Sequence, residues 1–471
     1  MSLVWVLAVA LLMLRQVGEG AAPDAYVQSD TAGALLAGAL PLAGAFVGWM
    51  LARRASAHRG ARMTPAAAAL LALGGFGVAL FALGWLERVQ AVVGTWVLVP
   101  DVVALLPLVA AVALVVRLDI GRAQQRYAAS LPWRAAEGLP VPPMPGPWRM
   151  VAWVLRVQLP LALVPMLLAL GALEAWQEVA PAVGTWLLQQ GSPPPTEGQV
   201  LALLDVGSLL CAGAALVLCP PLVVWAMGAR PLPAHPASHA LVLAARRAGV
   251  RSPQPLLWDT HGLVMNAFAL GLVPGLRAMV VSDALVTSLP SEQVQAVVAH
   301  EAVHLSRRHT VLLAGTVLVL AWAVWLVADW LHAAGMLPQE AAASVSPAAQ
   351  MVLGCALALG GLAVVLWVSR RVELHADAGA AAALSQYGCV DAGGIAAMDG
   401  ALLAVTHMAG VSQHKRSWRH GTVAWRRRHL ASLLGQRAGH LHADRVVARL
   451  WLAVGAALLA LAAATAWRAF V

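Results

Sequence analysis

The chain has 471 residues, 60% of them apolar and only 11% charged, with a mean hydropathy of +0.75. That excludes an ordinary water-soluble fold and describes a polytopic membrane protein. The net charge of +9 does not point to nucleic acid, because the arginines sit in short clusters between apolar runs, the pattern that orients membrane proteins.

Apolar runs long enough to cross a ~30 Å hydrocarbon core are expected at 30–51, 65–86, 95–116, 150–172, 199–228, 311–333, 350–369 and 448–467. Residues 2–14 form a ninth, shorter candidate that reads equally as a signal, a short span or a surface segment. Arg53, Arg54, Arg59 and Arg62 follow the first run, and Arg117, Arg122, Arg126, Arg134 and Arg149 follow the third, which places both loops on the cytoplasmic side. By alternation the acidic stretch 173–198 lies outside, and 230–310 and 370–447 lie inside. Trp49, Trp85, Trp96, Trp153, Trp225 and Trp330, near the ends of runs, read as interfacial anchors or as bundle packing. Cys211, Cys219, Cys355 and Cys389 have no metal or redox spacing and read as small apolar fillers.

The expected layout is therefore an N-terminal membrane region 1–229, a cytoplasmic segment 230–310, a membrane hairpin 311–369, a second cytoplasmic segment 370–447 and a last span in 448–471. Proline-rich 139–147 reads as a stiff loop. Residues 238–250 have helical spacing, after which "LLWD", "LVMNAFAL" and "AMVVSD" are short apolar runs punctuated by Gly262 and by Val273-Pro274-Gly275, the texture of a small hairpin or sheet. A helix then starts at Pro290-Ser291-Glu292, with Ser291 as its N-cap.

That helix carries His-Glu-Ala-Val-His at 300–304. Residues four apart share a helix face, so His300 and His304 can point two imidazoles at one metal ion while Glu301 takes a proton from the water that the metal activates. Glu301 and His304 lie on the apolar arc of Val294, Val297, Val298 and Leu305, with His300 at its edge. Ionisable groups there are costly unless paired or bound to a cation; a hydrogen-bonded structural cluster is the plainer alternative. A catalytic zinc needs a third protein ligand. Two crossings return the chain to the side it left, at "SRRVELHADAGA", which makes Glu373 the third ligand and Asp377, one turn on, the acceptor that orients a ligand imidazole. His309 and His375 compete as ligands, His375 pointing away from the Glu373/Asp377 face.

"NAFALG" at 266–271, "VVSDALVTSLPSEQVQAVVAHEAVHLSRRH" and "VELHAD" together resemble the membrane zinc metallopeptidases that include HtpX-like heat-shock peptidases and the type I CAAX prenyl protease, over about 240–310 and 370–430. With the apolar runs, the expectation is a polytopic α-helical membrane protein of eight or nine transmembrane helices with a small α+β cytoplasmic zinc-peptidase domain, although the five spans before residue 230 are more than a compact HtpX-like enzyme needs. The resemblance implies Zn2+ held by His300, His304 and Glu373, Glu301 as base, Asp377 as support, and a substrate chain laid along the strand of Asn266, Ala267, Phe268 and Ala269. It also implies oxyanion stabilisation by His420 or Arg426, although Gly421 stands where that family usually has proline.

The expected function is a zinc-dependent endopeptidase of membrane or membrane-tethered polypeptides, with the lipid bilayer as surroundings and no nucleic-acid partner. The alanine- and arginine-rich usage with a single lysine, Lys415, suggests a bacterial inner membrane. Two alternatives stand beside it. One is a signal-transducing receptor peptidase that cleaves a regulator, resembling the antibiotic-sensing membrane peptidases; the other is a non-catalytic scaffold or transporter in which Asp101 and Asp205 mark an ion path.

Overall fold

The computed structural model describes residues 31–59, 65–118, 146–189, 197–333 and 347–470 except 95, 234–235, 252–253, 261–263, 387, 409–410, 416 and 418–419, together with Val4, Leu7, Ala8, Leu11, Leu12 and Ile120. The proline-rich loop up to residue 145, Gly262, and the side chains of Trp153, Asp205 and Cys355 lie outside that description. The chain divides into two compact units, one of residues 1–129 and 142–229, the other of residues 130–141 and 230–471.

The first unit is helical: α1 (Thr31–Arg59), α2 (Pro65–Ala82), α3 (Trp85–Val93), α4 (Val99–Leu118), α5 (Pro147–Leu188) and α6 (Glu197–Met227). Two expected spans differ from the structure. The run at 65–86 is not one straight crossing: Gly84 takes a left-handed conformation, and α2 meets α3 at 71°. The run at 150–172 does not end at Glu174, because α5 continues to Leu188 and its apolar window is Leu163–Leu188. Glu174 is not a sign of solvent there; its Oε2 accepts a hydrogen bond from Leu98 N at 2.9 Å, fixing the turn before α4. Asp101 is buried in the first turn of α4.

The second unit opens with β1 (Arg230–Pro231), α7 (Pro236–Arg247), β2 (Pro255–Trp258), β3 (Ala267–Leu270), β4 (Ala278–Ser282) and the short α8 (Asp283–Ser288). These strands form one sheet in the order β1-β2-β4-β3, with β2 and β4 parallel and the outer pairs antiparallel, so β3 is an edge strand. Next come α9 (Ser291–Ser306), α10 (His309–Ala333), α11 (Pro347–Leu384), α12 (Ala392–Met408), α13 (Val423–Ala431) and α14 (His442–Phe470). Pro290, not Ser291, is the N-cap of α9; Ser291 is its first helical residue, its hydroxyl accepting from Gln295 Nε2. Among the described residues six helices are long and apolar enough to cross a membrane, or seven if the bent pair is one span, and they mark an integral membrane protein.

α9 is buried on more than one side, which a single apolar arc does not foretell. It packs on α7, α11, α12 and the sheet edge, and Ala296, Ala299 and Ala302 let those neighbours approach. The tightest approach is at Gly379 of α11, where an added Cβ would lie 2.8 Å from Val303 of α9. Since α11 runs unbroken from the expected 350–369 span through Glu373 and Asp377, this approach sets both carboxylates against α9. Replacing Gly379 by valine is therefore expected to overpack the contact and lower stability by ~1–3 kcal/mol, read as an earlier thermal unfolding midpoint.

Candidate metal centre

The second unit brings His300 and His304 from α9 together with Glu373 from α11: one ligand atom of each lies within 4.8 Å of the others. The two Nε2 atoms are 3.2 Å apart, and Glu373 reaches to 3.7 Å from His300 and 4.0 Å from His304. Donor atoms around a tetrahedral zinc with ~2.0–2.2 Å bonds stand about 3.3–3.6 Å from one another, so the spacing suits such an ion. His300 and Glu373 are buried, while Glu301 and His304 are partly exposed at one side of the group.

Asp377 is fully buried one turn beyond Glu373, with Oδ1 3.0 Å from His300 Nδ1. Arg426 of α13 donates to it twice, Nε to Oδ2 at 2.7 Å and Nη2 to Oδ1 at 2.6 Å, while its Nη1 lies 3.5 Å from Glu373 Oε2. His420 Nδ1 stands 2.9 Å from that same Oε2, with its side chain 47% exposed. Close as these partners are, His300 Nδ1 and Glu373 Oε2 lie off any well-directed hydrogen bond.

The charges follow from this packing. Burial alone lowers the pKa of His300, but the neighbouring Asp377 outweighs it and holds the imidazole above its ordinary value. Burial alone raises Glu373, and His420, Arg426 and His300 together reverse that, leaving the carboxyl well below the usual range. Asp377 is lowered in the same way against its own burial, by Arg426 and His300. The pocket thus gathers two buried carboxylates and the nearby Glu301 around one guanidinium. A divalent cation between the facing imidazoles would balance that excess, so the donor set fits a metal ion.

Residues 238–407 match the model of Peptidase family M48. Over these residues the chain is similar to the peptidases of family M48. Among its relatives are proteins named "Protease HtpX homolog" from Herminiimonas arsenicoxydans, 31% identical over 36% of this chain and 61% of that protein, and from Campylobacter concisus, 30% identical over 27% and 45%. A third, from Leptothrix cholodnii, is 29% identical over 38% of this chain and 67% of its own length. The chain spans about three fifths of the first relatives it matches. A solved structure of S. mikatae Ste24p aligns with 86% of this chain and 100% of its own at 14% identity, with a TM-score of 0.35, too loose a likeness to carry an argument. The M48 match contains His300, Glu301, His304, Glu373 and Asp377 and stops short of His420 and Arg426.

The remaining expected residues are placed as follows. Asn266 is exposed immediately before β3, its carbonyl accepting from Ser282 N at 2.9 Å and its N–H donating to Ser282 Oγ at 3.1 Å. Ala267, Phe268 and Ala269 lie in β3, which among the described residues pairs with β4 alone and packs on α9. Gly421 adopts φ +71°, which proline cannot reach, and its backbone pairs both ways with Ser417. The departure from His-Pro is thus matched by a different turn, one that delivers His420 to Glu373. His309 and His375 are not in the converging group; both are buried behind it, linked to each other and to Asp444, a residue to which the sequence drew no attention.

Replacing Arg426 by methionine leaves the buried Asp377 with His300 as its remaining ion-pair partner, which is expected to cost ~3–5 kcal/mol at neutral pH. Because the folded pKa of Asp377 is depressed, its contribution in the wild type is present above the ordinary carboxylate value of ~4 and is lost as pH falls through the lower folded value. Thermal unfolding of both proteins across that range should show the deficit of the variant narrowing towards acid.

Proposed function

We propose that this chain is a zinc-dependent endopeptidase of membrane or membrane-tethered polypeptides, working at the cytoplasmic face of a bacterial inner membrane. One observation carries the reading: two imidazoles of an HExxH helix and a buried carboxylate from a separate helix converge within 4.8 Å beside a partly exposed glutamate.

His300, His304 and Glu373 would hold the metal, which when bound polarises the scissile carbonyl and makes water a better nucleophile. Glu301 accepts the proton of the attacking water and returns it to the leaving amine. Asp377 orients His300 through Nδ1, and Arg426, buried and occupied by two carboxylates, keeps Asp377 ionised. Of the two groups assigned to the oxyanion, His420 is the exposed one and takes that role. An extended polypeptide adds to the β3 edge at Asn266–Ala269, where main-chain hydrogen bonds give affinity with little demand on sequence. The apolar helices joined to both ligand segments support a site close to lipid, and the HtpX names of the relatives support the choice of protein substrates.

Purified protein is expected to contain about one zinc per chain and to cleave an unfolded membrane protein in a chelator-sensitive way. Glu301→Gln should retain the zinc and lose ~10²–10⁴-fold in kcat, whereas Glu373→Ala should lose the zinc itself. Cleavage undiminished in Glu301→Gln overturns the assignment of the base; full zinc content in Glu373→Ala overturns the ligand set.

A further inference from the structure

A row of imidazoles leads away from the metal centre and ends on a carboxylate. His304 Nδ1 lies 3.1 Å from His309 Nδ1, His309 Nε2 lies 2.9 Å from His375 Nδ1, and His375 Nε2 lies 2.8 Å from Asp444 Oδ1. The other oxygen of Asp444 accepts from Leu441 N at 2.9 Å, so this side chain also caps the start of α14. His309 and His375 are 0% and 4% exposed. The row joins four helices in order, α9, α10, α11 and α14.

The chemistry of the end group fixes the direction of every link. An ionised carboxylate only accepts, so His375 carries a proton on Nε2, and in its neutral form it accepts at Nδ1. His309 must then donate from Nε2 and accept at Nδ1. His304 must donate from Nδ1, which leaves the lone pair of its Nε2 facing His300 and Glu373. A neutral imidazole has one donor and one acceptor, and here each is used once. The opposite assignment puts a lone pair against the carboxylate and a proton on the His304 nitrogen that faces Glu373.

We infer that His309, His375 and Asp444 are positioning residues that together fix the tautomer and ring orientation of His304, doing for that imidazole through three side chains what Asp377 does for His300 directly. The inference rests on the reading of His300, His304 and Glu373 as a metal site. It gives α14 a share in that site although no residue of α14 belongs to the converging group.

Zinc affinity of the full-length protein in detergent, measured by competition with a chelator, tests it, with the absorption spectrum of the cobalt(II)-substituted protein as a second readout. His309→Phe, close in size and without an acceptor, should bind zinc ~10–100-fold more weakly and shift the cobalt bands. Asp444→Leu should act in the same direction from the far end. The decisive result is the double variant: residues that work through one chain are not additive, so Asp444→Leu should weaken zinc little further once His309 is phenylalanine. If Asp444→Leu fails to fold, Asp444→Asn keeps the shape and should give a smaller drop of about threefold, again absent in the His309→Phe background. Single variants that bind zinc as tightly as wild type, or losses that simply multiply in the double variant, overturn the inference and leave the metal site standing. A wild type that binds no zinc overturns the site itself.

Discussion

Bringing two ionised carboxylates into a dry interior is the demand to which the rest of the second unit answers. Glu373 and Asp377 are 2% and 0% exposed on consecutive turns of one helix, where an unpaired charge costs several kcal/mol. Their ion-pair partners are cationic or can become so: Arg426 from α13, His420 from the turn before it, and His300 and His304 from α9. The helices are assembled around that neutralisation, and a metal ion extends the same logic. A structural salt bridge alone needs only Asp377 and Arg426. The second carboxylate, faced by two ring nitrogens, adds to that ion pair a group of donors that could hold a metal ion.

Such crowding requires small residues. α9 and α11 carry alanine at 296, 299, 302, 376, 378, 380 and 381, all essentially buried, with Gly379 at the tightest point. Larger side chains would hold the helices apart and put Glu373 out of reach of the imidazoles. The alanine content that first reads as mere hydrophobicity is here a spacing device, as at close helix contacts within membranes.

Part of this was legible in the sequence for plain reasons. His300, Glu301 and His304 are local, and a 3.6-residue period places them whatever the tertiary context. Glu373 and Asp377 are also local to each other, and the two intervening apolar runs limit where they can return. The strands announced themselves by β-rich runs between Gly and Pro breaks. Other features depend on backbone events that no periodicity carries. Arg308, at φ +54°, breaks the helix between His304 and His309 and turns His309 back towards its predecessor, where a continuous helix would carry it round to another face. Asp444 meets His375 across 69 residues of chain. Gly84 bends an apolar run that composition alone draws straight, and Glu174 sits inside a helix that its charge seemed to end.

The break at Arg308 has a mechanical result. His309 is both a member of the buried row and the first residue of a helix long and apolar enough to span lipid. A membrane helix meets a thinner or thicker bilayer chiefly by tilting. Its pivot here is hydrogen-bonded to His304 across the two-residue turn Arg307-Arg308. A tilt of this helix would therefore act directly on the contact between His309 and His304.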